Sequence, residues 1–267
     1  MGRLSRDDTR RHIHDDAPRC SGEYLRATSS SAAGAAGRHA MTKHRILFLA
    51  ANPSKNSRLA LDEECAAIER ELRMTAHRDD FDFRSKWAVT VDEMMRHLGE
   101  LQPTIIHFSG HGAAPADNGS SATTRDIVPA EDSAGAPRGI YLLDDHGGPQ
   151  IVTARALTMM IKSAAASARI VVLNACYSEP QADAVRSVVD CVVGMAGAID
   201  DDAARSFAVG FYRALGNRRS VGNGRSVGNA VDQAVATLAA KGMPDEKLPR
   251  CLTRGGVDAY QVILDPS

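Results

Sequence analysis

The chain has 267 residues, 43% of them hydrophobic, and a net charge of −1. That is enough apolar matter for one large domain or two small ones, and too little net charge to draw nucleic acid or an acidic membrane by field alone. No apolar run approaches the length of a membrane span, and the charged N-terminus lacks the apolar middle of a secretory signal, so the expected location is the cytoplasm.

Residues 1–40 carry seven arginines against five carboxylates, a serine run and an Ala/Gly stretch, with few large apolar side chains. That composition predicts a disordered extension ahead of a compact unit at 41–267. From Met41 onward strand and helix patterns alternate. Ile46–Ala50 reads as a buried strand, and Leu61, Cys65, Ile68 and Leu72 recur at helical spacing. Phe81, Phe83, Trp87 and Val89 share one face of a strand. Thr90 and Glu93 form a capping box for a helix with Val91, Met94, Met95 and Leu98 inside. Thr104–Phe108 is the next strand and runs into Ser109-Gly110-His111-Gly112.

Residues 113–138 are rich in Ala, Asp, Ser, Gly and Pro, and read as a flexible insert. A hairpin follows, with Ile140–Leu143 and Ile151–Val152 flanking Asp144–Gly148, then a helix with Leu157, Met160 and Ile161. Ile170–Leu173 is a strand buried on both faces. It ends in Asn174-Ala175-Cys176, and Ser178, Pro180 and Gln181 signal a helix cap at once. The chain continues with a helix over Ala182, Val185, Val188 and Val189, and a strand at Cys191–Met195. Next comes a helix opened by Asp200–Asp202 and capped at Gly216, then a helix over Val227–Leu238, and a last strand at Tyr260–Leu264. RSVGN occurs twice, at 219–223 and 225–229, which reads as a local duplication in a loop. Strands alternating with helices imply a mostly parallel sheet covered on both faces.

The five cysteines are odd in number and form no CxxC pair, which favours free thiols over a disulfide framework or a zinc ribbon. Cys176 sits at the carboxyl end of a buried strand and just before a helix, where open α/β sheets place their sites. The helix dipole there pulls a thiol toward thiolate. If TIIHFSGHG and IVVLNACYS are neighbouring strands about 4.8 Å apart, His111 and Cys176 meet at one sheet edge. The pair would supply a sulfur nucleophile and a general acid, with the amides of Gly112 and Cys176 donating to the oxyanion. His107 is the rival base, placed inside the strand with a hydrogen-bonded, partly buried role. No HExxH or paired-cysteine spacing supports a metal, and no GxGxxG or P-loop supports a nucleotide. No cofactor is expected.

HFSGHG followed by LNACYS, with LFLAANP near the start and GFYRALG later, resembles the CHAT domain over about residues 44–217. The resemblance implies a three-layer caspase-like α/β fold: a mostly parallel central sheet with helices on both faces. It also implies a cysteine endopeptidase whose dyad is His111 and Cys176, acting on a protein or peptide. Members of that family are linked to bacterial defence and signalling. The QAC-x-G signature of caspases is absent, so aspartate specificity does not carry over. No TPR array accompanies the domain here, which suggests an activating partner on another chain. Acids near the site, Asp200 above all and Glu179 beside it, could favour Lys or Arg before the cleaved bond, or simply complement helix starts. The competing function is a catalytically quiet caspase-fold module that binds a partner.

Overall fold

The computed structural model describes residues 43–53, 60–113, 138–217 and 226–264. The N-terminal extension, the body of the insert after His111 and most of the RSVGN duplication lie outside these residues. In chain order the elements are β1 (His44–Ala51), α1 (Leu61–Met74), β2 (Phe81–Trp87), α2 (Val91–Leu101), β3 (Ile105–Gly110), β4 (Gly139–Leu143) and β5 (Pro149–Thr153). They continue with α3 (Ala154–Ala164), β6 (Ile170–Asn174), α4 (Glu179–Val185), β7 (Cys191–Met195), α5 (Asp201–Gly216), α6 (Val227–Ala240) and β8 (Pro249–Thr253). The main sheet runs β2-β1-β3-β6-β7-β8, and β4 pairs with β5 as a separate hairpin. In that sheet β2, β1, β3, β6 and β7 are parallel and β8 closes the edge antiparallel to β7.

The apolar runs form central strands because both faces of each are covered. On β1, Ile46, Phe48 and Ala50 face α1, α5 and α6, while Leu47, Leu49 and Ala51 face α2, α3 and α4. The same alternation holds on β3, β6 and β7, so the sheet separates two apolar clusters. A Leu→Ala change in either would cost about 2–5 kcal/mol. The capping box of α2 forms as expected: Thr90 Oγ1 accepts from the Glu93 N–H at 3.3 Å, and Glu93 Oε2 accepts from the Thr90 N–H at 3.0 Å.

Four local expectations are corrected. The strand from Phe81 stops at Trp87, because Ala88 turns into the left-handed region (φ 53°) and sends Val89 to the opposite cluster. The helix at Ala182 ends at Val185, and Val188 and Val189 lie in the turn before β7. α5 runs through Gly216 instead of capping on it; a Cβ there would lie 2.4 Å from Thr75 Oγ1. Tyr260–Leu264 is a turn with one bridge, Ile263 to Ser226, and the edge strand is Pro249–Thr253. Its PRCLT sequence alternates weakly because an edge strand is only half covered.

Candidate active site

β3 and β6 are hydrogen-bonded neighbours in register, with Ser109 opposite Asn174. Their carboxyl ends therefore release His111 and Cys176 side by side. Gly112 makes the approach possible: a Cβ on it would lie 1.9 Å from the Cys176 carbonyl oxygen, so only a hydrogen fits between the two loops. His111 is buried, Cys176 is half-buried, and both line one cavity of about 290 Å3.

The turn after β6 is fixed by backbone and by Ser178. Tyr177 takes a left-handed conformation (φ 53°), uncommon for a bulky residue, and its N–H donates to Gly197 O at 2.9 Å. Ser178 precedes α4, but the expected capping box is absent. Its hydroxyl instead donates to Leu173 O at 2.8 Å and accepts from the Met195 N–H at 2.9 Å, tying β6 to β7. Oriented so that donors meet acceptors, the Gln181 amide bonds the carbonyls of Tyr177 and Ser178 and the N–H of Gly139.

The Cys176 thiol donates to Ile199 O at 3.7 Å. Burial pushes its pKa above the ordinary thiol value; the Ile199 contact opposes this and the Asp201 charge adds to it. The expected pull toward thiolate is thus reversed. The helix that follows has only seven residues, and a dipole effect of roughly 0.3–1 kcal/mol does not offset desolvation plus a nearby carboxylate.

His111 is held from the side opposite the sulfur's strand. Its Nε2 lies 3.0 Å from Asn52 Oδ1. An amide oxygen only accepts, so this contact places a proton on Nε2, and in the neutral ring Nδ1 is then the acceptor. Asn52 follows β1, the other neighbour of β3. No motif marks Asn52 in the sequence; its one signal is a polar residue at the carboxyl end of an adjacent parallel strand.

Beneath the pair lies a buried polar network. Glu64 Oε1 accepts from His107 Nε2 at 2.9 Å and from Asn174 Nδ2 at 2.7 Å, and Glu64 Oε2 accepts from Ser109 Oγ at 2.5 Å. His107 Nδ1 lies 3.1 Å from the Tyr212 hydroxyl, and its ring stacks on Phe48. His107 is hydrogen-bonded as expected, but fully rather than partly buried, and it works below the site instead of in it. Glu64 also went unnoticed in the sequence. It falls three residues after Leu61 and four before Ile68, an acid inside the apolar stripe of α1.

Asp200 caps α5, accepting from the Asp202 N–H at 2.9 Å, and it also lines the cavity. Its neighbour Asp201 lines the cavity too. Burial raises the Asp201 pKa, a hydrogen bond from the Ala60 N–H opposes this, and Asp200, Glu64 and Asp202 raise it further. Glu179 is not in the cavity wall; its carboxylate stands 4.0 Å from Arg250. Among the described residues no set of three or more His, Cys, Asp or Glu side chains is grouped to hold a metal ion, and no helix is long and apolar enough to cross a membrane.

The CHAT domain family model matches residues 13–247. A probable protease of Gillisia limnaea is 24% identical over 172 residues, 64% of this chain and 27% of that protein. A Roc-COR-CHAT protease from an unknown prokaryotic organism is 25% identical over 180 residues, 65% of this chain and 15% of that protein. The chain thus spans under a third of each curated relative. Among solved structures, a secreted C11 cysteine protease from Bacteroides thetaiotaomicron, in complex with an irreversible peptide inhibitor, matches with a TM-score of 0.52 at 14% identity, covering 79% of this chain and 66% of that one. The Drosophila initiator caspase Dronc matches with a TM-score of 0.48 at 8% identity, over 84% of this chain and 87% of that one. The three-layer α/β fold is caspase-like.

Proposed function

Since the chain belongs to the CHAT domain family, we propose that it is a caspase-like cysteine endopeptidase with Cys176 as nucleophile and His111 as acid and base. The observation that carries this reading is the shared cavity: adjacent parallel strands deliver both side chains to one edge, with the Gly112 backbone packed on the Cys176 peptide. The names of the two curated relatives, both proteases, agree with it.

The chemistry follows from the groups present. The thiol is protonated at rest, so attack on a peptide carbonyl requires His111 Nδ1 to take the Sγ proton as the C–S bond forms. Asn52 holds the ring by its Nε2–H and supports the positive charge that develops. The amides of Gly112 and Cys176 are the proposed donors to the oxyanion. Collapse of the tetrahedral adduct breaks the C–N bond, and the imidazolium returns the proton to the leaving amine. Water, activated by His111, then hydrolyses the thioester and restores the thiol.

The catalytically quiet alternative has one observation on its side, the thiol engaged with Ile199 O and held protonated. An electrophilic peptide probe separates the two. Under the peptidase reading it labels Cys176 in the wild type, and labelling and peptide hydrolysis are both lost in Cys176→Ala and fall at least about 1000-fold in His111→Ala, as for other nucleophile–base pairs. Labelling of Cys176 that is indifferent to His111→Ala would falsify the dyad. A regulated role in bacterial signalling or defence, in the cytoplasm and under an activating partner, is the biological setting proposed with it.

A further inference from the structure

The cavity beside Cys176 is a receptor without a matching donor. Three acidic residues line it, Glu64, Asp200 and Asp201, and among the described residues no lysine or arginine does. α1 and α5 both begin at its wall, and their N-termini contribute roughly half a positive charge each. That is about +1 against three carboxylates, so the balance stays negative. The helix ends are moreover served by the chain itself: Asp200 accepts from the Asp202 N–H, and Asp201 accepts from the Ala60 N–H.

The second observation is independent of charge. Asn174 is 4% exposed and lines the same cavity. Its Nδ2 is satisfied twice, by Glu64 Oε1 at 2.7 Å and Ala204 O at 3.1 Å. Its Oδ1 has no hydrogen-bond partner among the described residues. A buried acceptor left open costs about 1–3 kcal/mol. Glu64 also keeps acceptor capacity. A carboxylate offers about four lone-pair sites, and His107, Ser109 and Asn174 fill three of them. The open side-chain valences of Glu64, Asn174 and Asp201 are therefore acceptors, carried by α1, β6 and α5.

We propose that this cavity takes the cationic side chain of an arginine or lysine on the amino side of the cleaved bond, and that Asp201 and Asn174 select it. The inference rests on the peptidase reading for the attached peptide, but the cavity's preference for a donor-rich cation follows from its lining alone. A guanidinium presents five donors in a planar fork, matching in kind the several acceptors of this wall, Asn174 Oδ1, the remaining Glu64 site and Asp201. An ammonium presents three and meets fewer at once. Arginine is accordingly the better fit of the two. Asp201 is the residue that senses the charge, because its carboxylate lines the cavity beside those of Asp200 and Glu64.

Two measurements on the full chain test this separately from the reading it rests on. In the first, iodoacetamide alkylates Cys176, followed by peptide mass mapping, with benzamidine, agmatine or cadaverine added, or neutral butylurea as control. The cations slow alkylation about tenfold or more at saturation, butylurea does not, and Asp201→Asn loses the protection. In the second, peptide acyloxymethyl ketones that differ only in the residue next to the warhead compete for Cys176. Arginyl and lysyl probes label roughly 10- to 100-fold faster than the isosteric citrullyl probe, the scale of a lost charge-assisted hydrogen bond. The arginyl probe leads, the ratio to citrulline falls toward one in Asp201→Asn, and Asp201→Lys shifts preference to a glutamyl probe. Equal labelling by arginyl and citrullyl probes overturns the assignment while the peptidase reading stands. Protection by cations with no labelling by any peptide probe sinks the peptidase reading and leaves the cavity's cation preference in place. Neither protection nor labelling removes both.

Discussion

Replacing Glu64 by alanine takes an acceptor away from three buried donors at once, on His107, Ser109 and Asn174. Asn174 retains its bond to Ala204 O, and the Ser109 hydroxyl can rotate. The His107 Nε2–H, fully buried, has no such escape. At about 1–3 kcal/mol per stranded donor, and with about 3–5 kcal/mol typical of breaking a buried charged contact from one side, the loss comes to about 3 kcal/mol. Part of it is offset because a carboxylate no longer needs desolvating. For a domain of this size that is about 6–12 °C in Tm, and a drop of about 1–1.5 M in the urea midpoint. Glu64→Gln keeps one oxygen for His107 and Asn174 and turns an amide toward the serine oxygen, so it falls between alanine and wild type. Glu63→Ala is the control: its carboxylate is 63% exposed and pairs with Arg205 on the surface, worth about 0–1 kcal/mol. Equilibrium unfolding in urea, read by far-UV circular dichroism, decides. If Glu64→Ala unfolds with the midpoint of Glu63→Ala, the network is not a structural node and the reasoning about what lies under the site is wrong.

Other perturbations probe the site itself. Asn52→Ala releases the His111 ring from a single hydrogen bond and lowers kcat about tenfold with KM nearly unchanged; a pure KM effect would place Asn52 in substrate binding instead. Gly112→Ala drives a methyl into the Cys176 carbonyl and is expected to abolish turnover while the far-UV spectrum persists; wild-type activity would show that the loops do not need this approach. The pH dependence has a definite sign. Folding raises the thiol pKa of Cys176, and burial raises that of Cys65 to about 11. Their contribution to stability is thus intact below the unfolded-chain thiol pKa of about 8.5 and is lost as pH rises through the folded values. The urea midpoint should fall between about pH 8 and 10, and Cys176 alkylation should titrate above a cysteine in an unfolded peptide. A midpoint at or below the peptide's value would contradict the desolvation argument.

What the sequence disclosed follows from where the signal is local. Strands buried on both faces leave continuous apolar runs, so β1, β3, β6 and β7 were readable, whereas the pairing of TIIHF with IVVLN enters the sequence reading only as a condition, which the β3–β6 ladder meets. The capping box at Thr90 was readable because every partner lies within four residues. The one at Ser178 looked the same and did not form, since the hydroxyl was claimed by Leu173 and Met195 across two strands. Long-range polar contacts leave no such trace. Glu64 meets Asn174 across 110 residues and His107 across 43, and only an acid out of place on an apolar helix face hinted at either. The thiol's protonation was misjudged for the same reason: the dipole is read from the next few residues, while burial and Asp201 come from elsewhere in the chain.

The β3–β6 ladder has a consequence for covalent continuity. His111 and Cys176 are joined through the polypeptide by a long excursion, yet in space they are anchored on two strands that pair directly, with both apolar layers shared by the segments before and after it. Scission anywhere from Ala113 to Arg138 would sever that connection and leave the two fragments clasped. A nicked, two-chain molecule would keep its sulfur and imidazole in the same places as the intact one.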